Sequence, residues 1–115
     1  MTKEKLHSLI LDAQDCIDLE DFVAECGGSL PATYYPENGS PDKIISVLTD
    51  IWQFRDGLTF RKVLKISELT QAEISRRYDI PIRTIECWCG GSTHPKICLI
   101  ELLTADIITN KYEEE

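Results

Sequence analysis

The sequence predicts an all-α protein in which an acidic N-terminal helical region packs on a C-terminal helical domain. Three observations predict it. Apolar residues recur every three or four positions along most of the chain, the signature of helices with one buried stripe. Alternation of apolar and polar residues, the signature of a half-buried strand, is negligible. Asp, Ser or Thr precedes several striped segments, and Gly or Pro closes or opens others.

The elements follow in order. Leu6, Leu9, Ile10, Ala13 and Ile17 stripe a first helix from about Lys3 to Ile17. Asp18 is placed to cap a short second helix, Leu19 to Cys26, with Leu19, Phe22, Val23 and Cys26 inward. Gly27-Gly28 ends it, and 27–41 reads as a loop whose Tyr34-Tyr35 pair folds back onto the core. Ser40-Pro41 opens a third helix carrying Ile44, Ile45, Leu48, Ile51 and Trp52, and Asp56-Gly57 breaks the chain. Four shorter helices come next. Phe60, Val63, Leu64 and Ile66 stripe the first of them. Thr70 caps the second, Gln71 to Tyr78, and Glu73 completes a capping box. After a tight turn at Asp79-Ile80, Pro81 opens the third and Gly90-Gly91 closes it. Pro95 opens the last, where Ile97, Leu99, Ile100, Leu102, Leu103 and Ile107 exceed one stripe, so the excess packs on the N-terminal helices. The chain divides into an acidic helical region over 1–56, a helical domain over 57–110 and a Glu tail over 111–115.

Bulk properties narrow the class. A chain of 115 residues, 43% hydrophobic, has room for one modest domain or two small ones sharing a core. No apolar run reaches the roughly 18 residues of a membrane span, and the N-terminus lacks a signal peptide's uncharged core. Five cysteines without an export signal point to a reduced, cytoplasmic setting. The net charge of −8 argues against nucleic acid, but its distribution does not. Residues 1–60 hold four Lys/Arg against eleven acids, whereas 61–112 hold eight against six. The C-terminal half is weakly basic, enough for phosphate contacts.

The stretch Leu69 to Gly91, LTQAEISRRYDIPIRTIECWCGG, resembles the helix-turn-helix of the phage-repressor (Xre-like) DNA-binding family. The Leu-Thr-Gln-Ala opening, the Ile-Pro-x-Arg-Thr-Ile-x-x-Trp segment and the glycine after it carry the resemblance, which begins near Phe60 and fades after Leu103. It implies two steeply crossing helices joined by a short turn, with Ala72 at the close approach and Ile74, Tyr78, Ile80, Ile85 and Trp88 locking the pair. Asp79 stands where the family has glycine, and tolerates the left-handed region better than most residues. Ser75 stands where the family has alanine, and is expected to bond back to a carbonyl one turn earlier.

The resemblance implies which residues meet DNA. Ile82, Arg83, Glu86 and Cys87 take the positions that face base edges. Arg83 is the strongest reader, since its planar fork suits guanine O6 and N7. Ile82 suits a thymine methyl, and Glu86 either orients Arg83 or accepts from cytosine. Gln71 takes a position the family uses on phosphate, and Thr84, Thr93, His94 and Lys96 are further phosphate candidates. Trp52 and Trp88 read as core anchors, and Cys16, Cys26 and Cys98 as small core residues.

Metal and catalysis are expected to be absent. Cys87 and Cys89 stand two apart on a helix, about 200° around its axis, so they do not converge on one ion. His7 and His94 read as isolated, the carboxylates sit in ordinary helical contexts, and no nucleophile–base pair or phosphate-cradling glycine loop is visible. No cofactor is expected.

The leading expectation is a small sequence-specific transcriptional regulator of phage or mobile-element type, which the resemblance places beside repressors and antitoxin-like autoregulators, with repressor and activator both open. It binds double-stranded DNA as a homodimer, joined through the N-terminal helices or the last helix. The alternative belongs to another class: an inhibitor that binds a nucleic-acid-handling protein through an acidic, DNA-like N-terminal face, with the helix-turn-helix autoregulatory or vestigial. The direction of Asp12, Asp15, Asp18, Glu20, Asp21 and Glu25 discriminates the two.

Overall fold

The computed structural model describes residues 1–28, Leu30, Tyr34 and 42–112. Among them are seven α-helices and no strand: α1 (Lys3–Asp15), α2 (Leu19–Cys26), α3 (Asp42–Trp52), α4 (Phe60–Ser67), α5 (Gln71–Tyr78), α6 (Ile82–Gly90) and α7 (Ile97–Tyr112). The all-α class expected from periodicity is what the chain adopts. The expected Ser40-Pro41 cap, Tyr35 and the Glu113–Glu115 tail lie outside the described residues.

Local signals fix several helix starts. Each helix leaves its first N–H groups without an intrahelical acceptor, and short polar side chains supply one. Thr2 Oγ1 accepts from the Lys5 N–H at 3.0 Å. Asp18 Oδ1 accepts from the Asp21 N–H at 2.9 Å. At α5, Thr70 Oγ1 accepts from the Glu73 N–H and Glu73 Oε1 from the Thr70 N–H, each at 3.1 Å, so the predicted capping box is formed. The bond from the Thr70 N–H, and after it the Thr70 hydroxyl beside the carboxylate, hold the Glu73 carboxyl below its ordinary pKa.

The helices enclose one continuous cluster of buried side chains that runs from Leu6 in α1 to Ile108 in α7. Helix α7 packs against α1, α3 and α4, so it serves both halves as its surplus of apolar residues predicted. Polar links reinforce the packing. Thr109 Oγ1 donates to the Met1 carbonyl at 3.4 Å, and His7 Nδ1 meets Glu101 Oε2 at 2.6 Å, so α1 and α7 run antiparallel. Lys111 Nζ donates to Asp50 Oδ2 and to the Ile66 carbonyl, both at 3.0 Å, and the Tyr112 hydroxyl donates to the same Asp50 oxygen. Asp50 therefore joins α3 to α7, and Lys111 carries the link on to α4.

The structure corrects several expectations. Helix α1 stops at Asp15, because Cys16 turns extended at φ −92° and ψ 148°. Ile17 leaves the stripe and is 89% exposed, while Cys16 turns inward. In α3 the inward row is Val47, Leu48 and Ile51, and Ile45 faces out. Helix α7 begins at Ile97 rather than Pro95, and buries Ile100, Leu103, Ile107 and Ile108. Ile97 and Leu102 lie on its open side, and Cys98, expected in the core, is exposed with them. His7 is not isolated, and Glu101 and Asp50 are not in ordinary contexts, since both carboxylates bridge helices. Tyr34 is fully buried, as its expected folding back requires. Among the described residues, no helix is long and apolar enough to cross a membrane.

Candidate nucleic-acid interface

Helices α5 and α6 are joined by only Asp79, Ile80 and Pro81. So short a link needs one residue in the left-handed region, and Asp79 takes it at φ 52° and ψ 46°. The Ser75 carbonyl then accepts from the N–H of Asp79 and, at 3.1 Å, from that of Ile80. The Ser75 hydroxyl donates to the Ile80 carbonyl at 2.6 Å. This differs from the expected bond one turn back. The turn brings a free carbonyl closer to the hydroxyl, and the bond satisfies a group that the missing helical ladder would leave bare.

Ile74 and Ile85 are fully buried and hold the two helices together, with Tyr78, Ile80 and Trp88 half-buried around them. Trp88 rests against Phe60 of α4, ring centroids 5.1 Å apart. Ala72 does not fill the close approach. It is exposed, because a residue two before Ile74 points about 200° away from it around the helix. Tyr78 anchors its hydroxyl on Asp106 of α7 at 2.6 Å, and burial, then that bond, raises its pKa.

Helix α6 opens at Pro81, which has no N–H, and among the described residues no side chain caps it. The N–H groups of Ile82 and Arg83 have no acceptor within the helix. Ile82, Arg83 and Glu86 are exposed around this end. Cys87 and Thr84 are half-buried, so they present less of themselves than the motif's register suggests. Gln71, at the start of α5, is half-buried, and Thr93, His94 and Lys96 are exposed on the segment between α6 and α7. The structure thus gathers Ile82, Arg83 and Glu86 on one open helix end and places Thr93, His94 and Lys96 past its other end.

The other end of α6 shows a residue that the sequence reading passed over. Arg61 Nε donates to the Cys89 carbonyl at 2.6 Å, across 28 residues of chain. The Cys87 carbonyl accepts from the Ser92 N–H at 3.1 Å and from the Ser92 hydroxyl at 3.3 Å, and Gly91 turns the chain away at φ 82°. The unfilled carbonyls expected at any helix end were the available signal for such a partner, but nothing local pairs position 61 with 89.

The acidic side lies on α1 and α2. Asp12, Asp15, Asp18, Glu20 and Glu25 are exposed, and Asp21 is half-buried. Two of the acids serve local structure: Asp18 caps α2, and Asp21 Oδ2 accepts from the Ile17 N–H at 3.1 Å. Two others face thiols, Glu25 beside Cys16 and Asp12 beside Cys26, each at 3.9 Å. Burial, followed by the charges of Asp21 and Glu25, pushes the Cys16 thiol up to about 11, and burial with Asp12 raises Cys26. With a neutral alkylating reagent at pH 8, exposed Cys98 is expected to label first and these two last, read by peptide mass spectrometry. Early labelling of Cys16 in folded protein would contradict the placement. The same shift has a stability consequence. The unfolded chain releases the Cys16 proton near its ordinary value of 9.0 and the folded chain near 11. Its contribution is therefore complete below pH 9 and lost as pH rises through that interval.

Compared with family models, with curated proteins and with solved structures, the chain matches none of them.

Proposed function

We propose that the protein is a sequence-specific DNA-binding regulator that uses α5 and α6 as a helix-turn-helix, acting in a reducing, cytoplasmic setting. The observation that carries this reading is the start of α6: an uncapped helix end with Ile82, Arg83 and Glu86 exposed on it. Free N–H groups and the positive end of the helix dipole attract phosphate, and exposed side chains there suit base edges in a major groove. The left-handed Asp79 and the Ser75–Ile80 bonds support it by fixing the angle between the helices. One such module spans few base pairs, so the regulator works as a homodimer on two half-sites. Selection of duplexes from a random pool tests the reading. A site of two half-sites about one helical turn apart is expected; recovery of no bound duplex would sink it.

A second reading is favoured by the meeting of Asp12, Asp21 and Glu25 around Cys16 and Cys26 at the α1–α2 seam. Acids brought together from two helices suit a basic surface on a protein partner. Capture of one partner from lysate, persisting after nuclease and lost on Asp12→Asn with Glu25→Gln, is its expected sign. Loss of capture after nuclease treatment excludes it.

A further inference from the structure

We propose that the cleft between the start of α4 and the end of α6 binds a phosphate ester, and that its occupant is a backbone phosphate of nucleic acid. The second clause rests on the reading above. The cleft encloses about 280 Å³, with Phe60 and Trp88 as its apolar floor. Among the described residues, its ionisable lining is Arg61 and His94, with no acid beside them. In a chain with twenty acids and twelve Lys/Arg, a cavity without a carboxylate favours an anion.

Arg61 is set for the task. Its Nε is bound to the Cys89 carbonyl, which fixes the guanidinium plane. The terminal nitrogens of that plane match the oxygens of a phosphate, and a held side chain loses little freedom on binding. The C-terminal end of a helix ordinarily repels anions. Here the Cys89 carbonyl is taken by Arg61 and the Cys87 carbonyl by Gly91 and Ser92.

Gly90 supplies the independent observation. It is the last residue of α6, has no positive φ, and a Cβ added there would meet nothing within 4 Å. Backbone geometry and packing therefore do not call for glycine, which is a poorer helix former than alanine. What its missing side chain does is leave the rim of the cleft open. Position 90 follows Arg83 by seven residues, two helical turns, so the cleft continues the side of α6 that carries Arg83.

The test compares wild type, Arg61→Ala and Gly90→Ala, titrated with selected and random duplexes over a range of salt. Both variants are expected to weaken binding to both duplexes by a similar factor, roughly tenfold for Arg61→Ala, and to flatten its salt slope by about 1. Gly90→Ala is expected to do so while raising the melting temperature, which a merely structural role would not produce. Inorganic phosphate alone should move the Gly90, Gly91 and His94 resonances of the wild type and not those of Arg61→Ala. Duplex binding unchanged in both variants overturns the nucleic-acid occupant, and with phosphate shifts also absent it overturns the cleft; in both cases the regulator reading stands. Phosphate shifts without any duplex binding keep the cleft as a site for a free phosphate ester and overturn the nucleic-acid occupant. Neither response overturns both.

Discussion

Phe22→Ala is expected to lower the stability of the protein by about 3–5 kcal/mol, and to lower it at both ends of the chain together. Phe22 is fully buried in α2, 5.6 Å from the Trp52 ring of α3. Removing its ring forfeits the transfer energy of a large apolar group and opens a cavity that packed helices close only in part. Against a total of about 5–15 kcal/mol, the loss is severe. It reaches the C-terminal half because the buried cluster is continuous and α7 packs on α1, α3 and α4. The two tryptophans report the halves separately, Trp52 in α3 and Trp88 in α6. In Trp88→Phe and Trp52→Phe backgrounds, each with a single tryptophan, fluorescence melts should share one midpoint, and Phe22→Ala should shift both equally. A Trp88 signal that ignores Phe22→Ala would mean that the halves fold independently. Trp88→Ala itself is expected to cost less than Phe22→Ala, since Trp88 is half-buried and full burial between α5 and α6 belongs to Ile74 and Ile85.

Arg83→Ala is expected to cost about 1–3 kcal/mol on the selected duplex, or roughly 5- to 150-fold in affinity, and little on random DNA. Arg83 is exposed in the first turn of α6, clear of the core, so its removal leaves the fold intact. A bidentate contact to guanine depends on sequence and disappears with the side chain. Gln71→Ala should instead weaken both duplexes alike, because a phosphate contact positions the protein without reading bases. The measurement is a pair of titrations at one salt concentration, with a melt of each variant. Equal losses for Arg83→Ala on both duplexes would reassign it to the backbone. No loss on either, in a folded protein, would remove α6 as the reader at that position.

What could be read ahead of the structure was local. The Asp18 cap, the Thr70–Glu73 box and the left-handed Asp79 each rest on groups within a few residues of one another, and each is found where the chain predicts it. The core stripes of α1, α4 and α5 were legible for the same reason, since a helix repeats over one turn. For the candidate interface, the exposed trio Ile82, Arg83 and Glu86 followed from helical register, whereas Thr84, Cys87 and Gln71 are partly covered by neighbours that register does not show.

Local chemistry along the chain set the helical class, most helix starts and the turn between α5 and α6. Packing between helices settled which of two apolar faces turned inward. Ile17, Ile45, Ile97, Leu102 and Cys98 fit a stripe on paper and stand outside it in the fold. It alone also paired His7 with Glu101, Asp50 with Lys111 and Arg61 with the Cys89 carbonyl. The physical reason is range. Caps and turns are settled by bonds that close within one helical turn, while a face is chosen, and a distant partner found, only when separate helices exclude water from the same space.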